Sequence, residues 1–78
     1  MKIGAIRKVA DAVSRKWGMP KPVVAGITGQ SGDRQVEIRS ELTLDEGGFD
    51  LFREVKEVDP EYICEPQGGC VYIVYKPS

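Results

Sequence analysis

Near the end of the chain, in "YICEPQGGCVYIVYK", Cys64 and Cys70 flank a Pro-Gln-Gly-Gly run and sit among aromatic and β-branched residues. Thiols so placed could bind a metal, exchange disulfides or staple a turn. A structural zinc site takes four Cys or His ligands, and this chain has two cysteines and no histidine, so no metal is expected. Thioredoxin-type redox chemistry needs C-x-x-C at a helix start, whereas here the spacing is C-x5-C within a run of strand formers. What remains is a hairpin turn. Its cysteines are either free thiols or, under oxidising conditions, a disulfide whose short loop adds only about 2 kcal/mol.

The other chemical signals are weak. Without histidine, acid–base catalysis would fall to a carboxylate, lysine, tyrosine or thiol with a shifted pKa, and no clustered pair calls for that. The acidic residues from Asp45 to Glu61 lack calcium-loop spacing and read as the solvated face of a helix. In "GITGQSGD", Gly26, Gly29 and Gly32 are three apart, but neither the Gly-Lys-Ser/Thr of a phosphate loop nor its following helix is present; a hairpin loop is expected. No cofactor is implied, and the chain is expected not to be an enzyme.

These residues must be positioned by a small fold. Seventy-eight residues, 41% hydrophobic and 29% charged, suit one globular α+β domain spanning 1–78. The first seventeen residues interleave charges through every turn, which excludes a secretory apolar run and makes the cytoplasm the expected location. Net charge is −1, yet residues 1–21 sum to +5 and the remaining 57 to −6. That asymmetry suits a basic helix set against an acidic one, within one copy or between two.

Ile3, Ile6, Ala10, Val13 and Trp17 recur at steps of three and four, predicting a helix that ends near Trp17 before Gly18 and Pro20, with Trp17 anchoring it on the sheet. "PVVAGITG" and the alternating "QVEIRSELTL" predict two strands joined by "GQSGDR". Leu44, Leu51, Phe52, Val55 and Val58 share a second helical face that stops at Pro60. Thr43 and Glu46 have capping-box spacing, and Gly47-Gly48 either precede that helix or permit close approach to the sheet. "EYICE" and "CVYIVYK" predict a closing hairpin. The order α-β-β-α-β-β implies a four-stranded antiparallel sheet with both helices on one face, the element order of a circularly permuted ferredoxin-like fold.

Pairing Cys64 with Cys70 across the turn places Tyr62 opposite Tyr72 and divides the hairpin into two faces. The side with Ile63, Val71, Ile73 and Tyr75 is the better core. Tyr62, Tyr72 and Val74 are then expected on an open sheet face beside Glu37, Arg39 and Glu41. Lys8 and Arg15, two turns apart on the first helix, and Phe49, off the second helix's stripe, complete the candidate contacts. The expected function is a non-enzymatic module, a regulator, inhibitor or assembly subunit, binding another protein or a second copy of itself through the open sheet face or the basic first helix. Three rivals stand beside it. One is single-stranded nucleic-acid binding with Tyr62 and Tyr72 stacking bases and Lys8, Arg15 and Arg39 holding phosphates. The others are an inhibitor of host machinery of the phage or mobile-element kind, by analogy of size and charge, and a small oligomeric enzyme. No membrane partner is expected, since no apolar run is long enough to span a bilayer.

Overall fold

The computed structural model describes residues 1–27 and 35–77. Helix α1 spans Ile3–Lys16 and buries Ile6, Ala10, Val13 and Ser14 along the expected stripe. It ends where Gly18 turns left-handed at φ +69°. Gly18 N–H donates to Arg15 O (3.1 Å) and Met19 N–H to Ser14 O (2.8 Å), the paired bonds of a Schellman motif that satisfy the last free carbonyls.

Strands β1 (Val23–Ile27) and β2 (Gln35–Arg39) pair antiparallel, with Val24 opposite Ile38. The "GQSGDR" connection between them, with Gly29 and Gly32 of the expected loop, lies outside the described residues. The alternation of β2 was expected to reach Leu44, but the ladder stops at Arg39. There Ser40 turns the chain: its N–H donates to Cys70 O (2.8 Å), and its hydroxyl accepts from Leu42 N–H (3.2 Å). Ser40 and Leu42 remain buried without belonging to the strand.

Helix α2 (Gly48–Val58), β3 (Ile63–Gly68) and β4 (Val71–Tyr75) follow, completing the expected α-β-β-α-β-β order. The sheet runs β1-β2-β4-β3, and every neighbouring pair is antiparallel. Strands β2 and β3 therefore point the same way with β4 between them, a split β-α-β crossover in which α2 is the connection. Both helices cover one face. Ile6, Ala10 and Val13 of α1 and Leu51 and Val55 of α2 join Val24, Val36, Ile38, Tyr62, Tyr72, Val74 and Leu42 in one apolar cluster.

The faces of the last hairpin are the reverse of those expected. Tyr62, Tyr72 and Val74 are at most 3% exposed and lie under the helices, while Ile63, Val71, Ile73 and Tyr75 line the uncovered side. The cause is the pairing of β4 with β2. Val74 stands opposite Val36 and Tyr72 opposite Ile38, and since paired residues share a face, burial of Val36 and Ile38 draws the tyrosine inward. The hairpin register is also four residues from the expected one: Cys64 faces Val74, not Cys70. Pro66 lies within β3, a bulge intervenes before Gly68, and the turn is closed by Gly68 and Gly69, both at positive φ.

The capping-box residues close a turn ahead of α2 instead of capping it. Glu46 N–H donates to Thr43 Oγ1 (3.1 Å), and the carbonyls of Thr43 and Leu44 receive the N–H groups of Gly48 (2.8 Å) and Phe49 (3.2 Å). Gly47 precedes the helix and Gly48 starts it, and both lie where a side chain has no room. Gly47 sits at φ +111°, and a methyl there would collide with Leu42 and come within 3.0 Å of the Trp17 ring. One on Gly48 would meet Thr43 O at 2.9 Å and the Tyr72 hydroxyl at 3.0 Å. Gly18, also left-handed, has open space around it. Gly18→Ala should thus lose only about 1 kcal/mol of backbone strain, whereas Gly47→Ala adds overpacking and should lose about 2–4 kcal/mol in urea denaturation. Equal losses would show that packing at Gly47 is slack.

Candidate functional site

Three of the expected contact residues are structural. The Tyr72 hydroxyl donates to Leu42 O at 2.6 Å, and its ring meets Phe52 edge-on with centroids 5.9 Å apart. Tyr62's hydroxyl accepts from the backbone N–H of Lys2 (2.9 Å), tying the entry of α1 to the start of the last hairpin. Val74 lies at the centre of the core. Neither tyrosine offers a ring for stacking. Because Leu42 O is buried with this partner, Tyr72→Phe should cost about 1–3 kcal/mol by leaving the carbonyl unpaired, measurable by chemical denaturation. A neutral change would mean that water replaces the hydroxyl.

The remaining candidates are at the surface but do not form one site. Lys8 and Arg15 are exposed on α1, and Glu41 is exposed beyond the end of β2. Glu37 and Arg39 lie on the uncovered sheet face, paired at 2.7 Å. Phe49 is exposed on the first turn of α2.

Both thiols are free, Cys64 half-buried against the core and Cys70 exposed in the turn. Burial, assisted by the neighbouring Glu65 carboxylate, pushes the Cys64 thiol from 9.0 up to about 12. It is therefore a packing group, not a nucleophile. A thiol reagent at pH 8 should modify Cys70 in the native protein and Cys64 only after denaturation. The raised pKa means that the folded state holds a proton the unfolded chain releases, so stability falls as pH rises from about 9 towards 12, by at most about 1.4 kcal/mol per pH unit. Cys64→Ala should flatten that decline; rapid labelling of both thiols would show that the hairpin opens.

The pattern of exposed apolar side chains gives a different site from the one expected. Among the described residues the exposed large hydrophobics are Trp17 (38%), Val23 (62%), Leu44 (40%) and Phe49 (59%). Three of them gather around Gly47-Gly48: Trp17 packs over Gly47, Leu44 over Gly48, and Phe49 N–H bonds back to Leu44 O. Phe49 also meets Phe52 edge-on, so an aromatic chain runs from the surface through Phe52 to Tyr72. Asp50 orients the Trp17 side. It accepts the indole N–H at 2.8 Å, Lys16 Nζ at 3.3 Å and an Arg53 guanidinium N–H at 2.6 Å. The indole bond is the largest influence holding its carboxyl below the usual range, with Lys16 and Arg53 adding to it.

Trp17 and Leu44 were missed as surface residues because each fits a helical stripe by spacing. Trp17 is instead the C-cap of α1, and Leu44 belongs to the turn before α2. Gly47-Gly48 was the available signal, marking where two backbones and a large ring crowd together.

The uncovered sheet face carries Val71, Ile73 and Tyr75 of β4 with Ile63 and Glu65 of β3, Val23, Ala25 and Ile27 of β1, and Gln35, Glu37 and Arg39 of β2. Desolvation and the nearby Glu65 carboxylate push the Tyr75 phenol upward. Among the described residues no three metal-binding side chains converge, and no helix is long and apolar enough to cross a membrane. Four open clefts lined by described residues hold about 190–220 Å³ each. Set against family models, characterised proteins and solved structures, the chain matches none of them.

Proposed function

We propose that this chain is a small non-enzymatic module of the cytoplasm that binds another protein, as a regulator, inhibitor or assembly subunit, through the surface formed by Trp17, Leu44 and Phe49. The observation that carries this reading is the exposure of two aromatic rings and a leucine around the glycine step at the start of α2. Tryptophan is among the residues most enriched at binding hot spots, and a rigid ring provides contact area at low entropic cost. The rings rest on fixed supports: Trp17 is held by Asp50 and Phe49 lies against Phe52, so little ordering is left to be lost on binding.

The surroundings suggest the partner's chemistry. Asp45 and Glu46 are exposed beside Leu44, whereas Lys16 and Arg53 are both engaged by Asp50. An apolar groove with a basic rim would match this surface, and its association would slow as salt is raised. Stacking of nucleic acid on Tyr62 and Tyr72 is not part of the proposal, since both rings belong to the core.

Leu44→Ser combined with Phe49→Ser tests the assignment. Both side chains are exposed, so stability should change by about 1 kcal/mol or less, while affinity for a partner isolated with the native protein should fall at least about tenfold. Unchanged affinity with intact folding would move the binding surface away from α2.

A further inference from the structure

We infer that the uncovered sheet face is a contact between two copies of this chain, packed face to face about a two-fold axis that runs across the strands at the level of Val24, Ile38 and Tyr72. Those three side chains point toward the helices, so the axis passes between two rows of outward-facing residues. One row holds Ala25, Glu37, Ile73 and, on the edge strand β3, Glu65, and the other Val23, Arg39, Val71 and Gly68 past the bulge. Rotation about this axis exchanges the rows. Glu37 of one copy comes over Arg39 of the other, Ile73 over Val71, and Ala25 over Val23.

The face is therefore complementary to itself in both charge and polarity. Its polar strip on β2 meets the same strip with the signs reversed, turning the Glu37–Arg39 pair, 2.7 Å apart within one copy, into a four-membered ring of alternating charge. Its two apolar strips, on β1 and on β4, meet their own counterparts. An isologous interface of this kind requires opposite charges at the exchanged positions, which Glu37 and Arg39 supply. Aligned sheets cross at about 30°, so the match is best near the sheet centre, where β2 and β4 lie.

The size is adequate for a weak dimer. The rows that this axis exchanges span about three residues on each of four strands, roughly 19 Å by 10 Å, on the order of 300 Å² of accessible surface per copy once side-chain relief is included. Two copies together bury on the order of 600 Å², the size of a transient contact, so dimers are expected at high protein concentration. The inference uses residues distinct from the Trp17 surface, and either can fail without the other.

Sedimentation velocity over a concentration series tests it. The native chain should dimerise, and Glu37→Arg or Arg39→Glu should each weaken dimerisation by about thirtyfold or more, because each places four like charges together. An equimolar mixture of these two variants should recover a dimer, since one copy then supplies only positive and the other only negative charge. The double variant Glu37→Arg with Arg39→Glu retains the internal pair and should dimerise like the native chain, which separates charge pairing from damage to the fold. A native chain that stays monomeric at every concentration, or single variants that dimerise as well alone as when mixed, would overturn the inference.

Discussion

The first turn of α2 passes so close to Leu42, Trp17 and Tyr72 that only hydrogen fits at Gly47 and Gly48. Much of the molecule depends on that approach. It lets the carbonyls of Thr43 and Leu44 accept the first N–H groups of the helix, places the Tyr72 hydroxyl within reach of Leu42 O, and brings the indole of Trp17 over to Asp50 of the other helix. The two helices are thus tied at the end where the sheet hands the chain from β2 to α2. Glycine is entropically costly at a helix start, and that cost is offset by the contacts the missing side chains permit.

The element order and the antiparallel sheet were legible because they rest on local periodicity. The stripe from Ile3 to Val13 can only be helical, and the alternation from Val36 to Ile38 can only be a half-buried strand. The orientation of the last hairpin was not legible in the same way. Both of its faces are apolar, so the run "CVYIVY" does not by itself say which side meets the helices. That is decided by pairing with β2, a contact between residues more than thirty positions apart. The burial of Tyr62 and Tyr72 depends likewise on distant oxygen and nitrogen partners at Leu42 and Lys2. The candidate site was half legible. Phe49 stood out because it left the helical stripe, whereas Trp17 and Leu44 were concealed by fitting one.

The charge asymmetry also resolves into particular contacts. Part of the basic first segment is matched inside the molecule, through Lys16 to Asp50, and the acidic end of α2 is drawn to Lys76 through Asp59 and Glu61. Lys8 and Arg15 have no ion pair among the described residues. They leave α1 with a basic outer surface on a body that is acidic elsewhere, which gives the molecule a charge dipole along which an approaching protein would be oriented before contact.

The two margins of the sheet differ in a way that bears on aggregation. On β3 the ladder is broken by Pro66, which has no N–H to offer, and by the bulge before Gly68, so a further strand finds no continuous template there. On the opposite margin β1 reads Val-Val-Ala-Gly-Ile, without charge or proline, and its protection is the Arg7 guanidinium donating to Val24 O at 3.3 Å. Runaway strand addition is therefore blocked from one side by covalent structure and from the other by a single hydrogen-bonded cation. Loss of that cation would leave a chain able to pair edge to edge in twos but not to grow into a fibril through its native sheet.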